Sequence, residues 1–289
     1  MSFTARVAIA FAAGIAGAAI LAPIAAAAVY HAGWRFPFPR IFDRTVMVTL
    51  FAAIGFAARG MRLGPLLTRG FKRPRENLNR ALRGLAAAVA IIAVLMALAI
   101  AAGGRLGFGA ITVSSGVKYL AGAIVIGILE EGFFRAFLLG GMRDDFGRTG
   151  ALIVSAVIYA LAHLVRSPAR FVATGYEPMA GVATLAGSFA QFRDPAAALP
   201  ELAGLFILGI VLGAAFLQTG TVYFSIGLHG GLVLGVKLWP KLIRHRRAIP
   251  VWFVGAGRVP LIGGAGAWAA ALIVLAMLPR LTGTGGEAG

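Results

Sequence analysis

The sequence has no cysteine among its 289 residues, and only 10 are aspartate or glutamate. The first absence excludes disulfides, thiolate metal sites and a cysteine nucleophile. The second makes every carboxylate conspicuous. Charged residues of both signs make up 13% of the chain, about half the share in a soluble domain, and 60% of the chain is hydrophobic. That balance excludes an ordinary water-soluble globule. Several enzyme signatures are also missing: there is no His-Glu-x-x-His zinc helix, no Gly-x-Ser-x-Gly elbow and no Gly-x-x-x-x-Gly-Lys-Ser/Thr phosphate loop.

What is present is a series of apolar runs. A spanning helix needs about 20 mainly apolar residues. That rule places eight spans at about 7–29, 43–61, 84–103, 117–141, 149–165, 200–217, 221–239 and 260–278. The expectation is an all-α, polytopic membrane bundle of about eight transmembrane helices, multi-pass in the cell (inner) membrane. Residues 1–281 form a single transmembrane domain and 282–289 a flexible tail. Forty glycines suit close helix–helix approach in lipid. The first apolar run is about twice as long as the 7–15-residue core of a signal peptide, so it reads as a retained helix.

Positive charge dominates, with a formal net charge of +17. In a soluble protein this would suggest nucleic acid. Here the cations gather between apolar spans, at Arg69, Lys72, Arg73, Arg75, Arg80 and Arg83, and again at Lys241, Arg244, Arg246 and Arg247. They predict contact with anionic lipids and no nucleic-acid partner. Lysine and arginine are nearly equal on the two faces, which leaves the orientation open. Two connections are long. Residues 59–83 read as a basic amphipathic helix lying on the membrane. Residues 166–199 read either as an interfacial flap over a cavity or as a surface loop.

Three spans carry ionisable groups at depth. The fourth holds Glu130, Glu131 and Arg135, the fifth His163 and the seventh His229. Each charge at the bilayer centre costs about 2.5–3.5 kcal/mol on insertion scales, so such groups are kept when they are paired, wetted or used. Glu131 and Arg135 are four residues apart and can pair on one helix face. Glu130 is rotated by about 100° from Glu131 and can face a cavity. Taken singly, each feature has a plain structural reading: a buried ion pair, or a hydrogen-bonded packing histidine. Their joint occurrence on three spans points to a shared site.

Two chemistries fit these residues. His163 and His229 could hold a divalent metal such as zinc while a glutamate acts as base. Alternatively, both imidazoles could stabilise a carbonyl oxyanion while Glu130 activates water, without metal. Either route hydrolyses a peptide bond within the membrane. An ion- or proton-coupled transporter using the same groups is a competing reading, although no paired broken helices in matching halves are evident. A catalytically silent scaffold is another.

Glu130-Glu131-x-x-x-Arg135, then Tyr159-x-x-x-His163, then His229 on a late span, resembles the CPBP family, the CAAX prenyl proteases and bacteriocin-processing enzymes also called Abi proteins. The resemblance covers about residues 115–240. It implies an eight-helix intramembrane endopeptidase acting on a membrane protein or peptide, membrane-anchored or lipid-modified. It also implies Glu130 as the water-activating residue, Glu131 with Arg135 as its support, and His163 and His229 as the oxyanion- or metal-binding pair. The sequence departs from the family pattern twice. Tyr159 stands where phenylalanine is usual, and Val233 stands where the third motif has asparagine or aspartate.

Overall fold

The computed structural model describes residues 1–107, 111–166, 171–244, 249–255 and 261–284. Arg246 and Arg247 of the second basic run, and most of the expected tail, lie outside these residues. The described chain is an all-α membrane helix bundle. Its long helices are α1 (Phe3–His31), α2 (Phe38–Ala57), α4 (Pro74–Ala101), α5 (Val113–Glu131), α6 (Gly140–Leu164), α8 (Pro195–Thr219), α9 (Tyr223–Leu242) and α11 (Ala265–Thr282). The short ones are α3 (Leu63–Gly70), α7 (Ala180–Ser188) and α10 (Val251–Val254). Four helices, α1, α4, α8 and α11, are long and apolar enough to cross a membrane by length and composition alone. The only strands among the described residues are β1 (Arg105–Leu106) and β2 (Ile243–Arg244), which pair antiparallel.

Local chemistry explains several boundaries. The Ser2 hydroxyl accepts from the Ala5 amide at the start of α1, and the Thr112 hydroxyl accepts from the Ser115 amide at the start of α5. α11 ends at Gly283, whose φ of +75° is the left-handed conformation glycine adopts without penalty. Gly147 breaks α6 with φ +67°, separating the fourth expected span from the fifth.

One long connection differs from the sequence expectation. The basic stretch 59–83 is not one surface helix. It forms α3, is interrupted at Arg73 (φ +49°), and restarts at Pro74 as the first turns of α4. Proline at a first helical position lacks the amide that would go unbonded there, so it favours a start at that point. The other, residues 166–199, contains α7 and a 3-10 turn, Ala190–Arg193.

The chain divides into two compact units: Met1–Gly64 with Ala162–Pro195, and Pro65–Leu161 with Ala196–Gly289. In the first, α1 packs on α2 through a stripe of Gly14, Ala18, Ala22 and Ala26, and Phe38 stacks on Phe171 at 5.2 Å. In the second, α4 and α9 run side by side. Gly84 lies against the backbone of Phe224 and Leu228, and Gly227 lies against that of Ala81 and Leu85. A side chain at either glycine would drive into a neighbouring carbonyl, so glycine is what permits this contact. Leu212, Phe224, Leu228 and Leu278 fill the core beside it.

Candidate active site

The site begins with a helix face. The buried positions of α5 are Ala123, Gly127 and Glu131, each four residues after the last. Four-residue steps keep side chains on one face. Gly127 rests against Ile226 and Gly230 of α9, and Ala123 lies beside Gly230. Two small residues therefore bring α5 and α9 into near contact, and the next step along the stripe delivers Glu131 to His229. Glu131 Oε1 lies 2.8 Å from His229 Nδ1.

After Glu131 the helix widens into a π segment, Gly132–Leu139. Its i→i+5 turns are rare and frequent at functional sites. This segment carries Arg135, whose Nε lies 3.1 Å from Glu131 Oε2. Both side chains are completely buried. The approach is an ion pair without hydrogen-bond alignment, and the Nη1 and Nη2 atoms of Arg135 have no hydrogen-bond acceptor among the described residues. The guanidinium lies instead over the Tyr159 ring, at 4.7 Å from its centroid, and 5.8 Å from that of Phe134. Ring faces attract a desolvated cation by about 2 kcal/mol.

Glu130 approaches the opposite edge of the same imidazole. Its Oε2 is 3.8 Å from His229 Nε2, and its side chain is 31% exposed against 0% for Glu131. The two adjacent carboxylates thus differ in access: one is sealed between Arg135 and His229, and the other is partly exposed, with the Oε2 that faces His229 buried. Tyr159 completes the group, with its hydroxyl 3.5 Å from His229 Nε2. Glu131, held by Arg135, accepts from the Nδ1–H of His229. That contact orients the ring and turns Nε2 toward Glu130 and Tyr159. Two carboxylates and one guanidinium carry a net charge of −1.

The structure therefore brings together Glu130, Glu131, Arg135 and His229. His163 is half-buried and lies one turn beyond Tyr159 on α6, in the portion of the chain assigned to the first unit. Among the described residues no group of three His, Cys, Asp or Glu side chains is arranged to hold a metal ion. Both ring nitrogens of His229 already face protein groups, so the residues brought together here do not fit a metal ion. Ser225, also buried, donates its hydroxyl to the Leu212 carbonyl at 2.9 Å and is structural.

In the sequence Tyr159 stands out only as a motif position. A usable signal was available: a tyrosine in an apolar helix needs a partner for its hydroxyl. The π segment had no comparable signal, because Gly-Phe-Phe-Arg-Ala-Phe-Leu-Leu reads equally well as an α-helix.

An imidazole fixed by one buried carboxylate, with a second and more exposed carboxylate beside it among apolar helices, belongs to the class of membrane-embedded site suited to acid–base hydrolysis. Residues 112–234, which span this whole arrangement, match the family described as type II CAAX prenyl endopeptidase Rce1-like. Over this segment, somewhat less than half of the chain, the protein is similar to that family of membrane proteases. No curated protein and no solved structure matches the chain.

Proposed function

We propose that the protein is a multi-pass intramembrane endopeptidase of the inner cell membrane, cleaving a membrane-anchored or lipid-modified substrate with water activated by Glu130. One observation carries the reading: His229 is gripped at Nδ1 by buried Glu131, while the half-open Glu130 stands at its other nitrogen.

The division of labour follows from access. Glu131 is sealed, so it orients. Glu130 is reachable, so it takes the proton of a water molecule as that water's oxygen attacks the scissile carbonyl carbon. Charge develops on the carbonyl oxygen, and His229 with a proton on Nε2 donates to it. As the carbon–nitrogen bond breaks, the departing amine takes the proton from Glu130, which restores the carboxylate. Arg135, 3.1 Å from Glu131 Oε2, holds that side chain in place, so the imidazole keeps its orientation. A desolvated setting strengthens each of these charge interactions.

The test is cleavage of a panel of membrane-anchored peptides by the protein reconstituted in liposomes, comparing wild type with Glu130→Gln and His229→Ala. Both variants should fold and fail to cleave. Cleavage that persists in Glu130→Gln removes the proposed base. Proton flux across the liposome without proteolysis would favour a transporter instead.

A further inference from the structure

Away from this site, a second polar feature opens at the start of α4. A cavity of about 590 Å³ is lined by Lys72, Arg73, Glu76, Asn77, Arg80 and Arg83, with the ends of α8 and α11 closing the wall. Its charges do not cancel. Arg73 pairs with Glu76 at 3.2 Å. Among the described residues no carboxylate pairs with Lys72, Arg80 or Arg83. Arg80 is oriented by Asn77, whose Oδ1 accepts from its Nη1, while the Asn77 amide donates to the carbonyls of Lys72 and Arg73. Arg83 extends over Gly283, where a side chain would collide with its guanidinium. Three unneutralised cations converging on one concavity repel one another unless an anion joins them.

The depth of the cavity in the membrane follows from the sequence of α4. Residues 84–101 contain no charged residue. At 1.5 Å per residue they cover about 27 Å, close to the roughly 30 Å hydrocarbon layer. The ten residues before them, Pro74–Arg83, hold every charge of the helix. α8 and α11 are also apolar spans and end at the same cavity. Three spanning helices stop where the cations begin, which is the level of lipid phosphates.

We propose that this cavity is a binding site for a phosphate-bearing anion, and that in the membrane its occupant is the headgroup of an anionic phospholipid. It differs from diffuse attraction of a basic loop to a charged surface because the cations converge from Lys72, Arg80 and Arg83 onto one walled space. Arginine and lysine together suit the ligand: guanidinium groups grip two phosphate oxygens at once, and lysine adds a point charge.

The test uses the full-length protein purified in an uncharged detergent. Binding is followed by thermal shift and by native mass spectrometry while phosphatidylglycerol, phosphatidylcholine or inorganic phosphate is titrated. Wild type should bind phosphatidylglycerol and ignore phosphatidylcholine. Arg80→Gln/Arg83→Gln should weaken phosphatidylglycerol binding by roughly 10–30-fold, from about one lost charge contact per residue. Arg75→Gln is the control: it removes a charge from the same basic N-terminal stretch of α4 but does not line the cavity, so it should leave binding within twofold. Inorganic phosphate that binds as tightly, with the same loss in the variant, makes a soluble phosphate the ligand and keeps the site. Equal weakening by Arg75→Gln overturns it in favour of diffuse surface charge, and so does binding to neither anion. If the double variant does not fold, Lys72→Gln alone serves, with an expected loss of about fivefold. Binding is measured without turnover, so its failure leaves the Glu130 proposal standing.

Discussion

α1 and α5 solve the same packing problem with the same device and reach different ends. On α1 the buried stripe runs Gly14, Ala18, Ala22, Ala26, and it packs against α2 as an uninterrupted seam of small apolar groups. On α5 the stripe runs Ala123, Gly127 and then Glu131. Up to Gly127 the two are interchangeable: small residues at four-residue spacing let backbones approach, which is how helices associate in lipid. At the next step α1 places a methyl group and α5 places a carboxylate. A close helix–helix seam can therefore act as a positioning device, and the residue at its end decides whether it holds only structure or also chemistry.

The comparison breaks most severely at Arg135. Arg135→Ala leaves Glu131 buried with only an imidazole beside it. Removing one partner of a buried pair costs about 3–5 kcal/mol. A drop of that size in stability is expected by denaturant titration in detergent, together with complete loss of cleavage. No substitution on the α1 stripe that preserves its small volume should approach it. An Arg135→Ala variant as stable as wild type would show that the cluster does not depend on its cation.

Glu130→Gln is expected to separate function from stability. Glu130 is partly open, and glutamine keeps its shape, so the unfolding midpoint should stay within about 0.5 kcal/mol of wild type. Cleavage should fall by roughly 100- to 10,000-fold, the range for loss of a positioned general base. The reverse result, normal turnover with a less stable fold, would make Glu130 a structural group like its neighbour.

The seam itself can be tested at matched positions. A methyl group at Gly14 would come 2.7 Å from Leu50 Cδ2, and one at Gly127 would come 3.1 Å from the Ile226 carbonyl oxygen. Each alanine substitution should cost about 1–2 kcal/mol through overpacking. Only Gly127→Ala should also depress cleavage, by about three- to tenfold, because the few tenths of an ångström by which α9 must give disturb the placement of His229 against Glu131. Equal effects of both variants on turnover would show that the α5–α9 contact is no more specific than any other seam.

How far the sequence reveals this arrangement depends on the residue. Charge inside an apolar run is conspicuous, so Glu130, Glu131, Arg135 and His229 stand out before any coordinates. The four-residue offset of Glu131 and Arg135 foretells their pairing. The same offset on α5, Ala123-Gly127-Glu131, was also readable, but nothing in the sequence names α9 as its partner. That choice comes from tertiary packing of Gly127 against Gly230. The basic stretch 59–83 misled for a local reason. Its apolar residues repeat at helical spacing, but the break at Arg73 and the start at Pro74 transfer half of it to a spanning helix. The π segment was hidden, because an extra residue in a helical turn leaves no mark on composition.

The smallest effect is expected at Tyr159, where one atom distinguishes two roles. Its ring lies under the Arg135 guanidinium, and its hydroxyl faces His229 Nε2 at 3.5 Å. Tyr159→Phe keeps the ring and removes only the hydroxyl, so the cation should remain seated and stability should change by less than about 1 kcal/mol. At 3.5 Å the hydrogen bond is long, and a contact of this kind contributes roughly 0.5–1.5 kcal/mol. If it steadies the imidazole during reaction, turnover should fall about three- to tenfold with KM unchanged. A loss beyond 100-fold would mean that the hydroxyl meets the substrate itself, and no loss would reduce Tyr159 to a platform for Arg135. Arg135 would then be its only link to the chemistry, and Tyr159→Leu, which removes the ring as well, should reproduce part of the instability of Arg135→Ala.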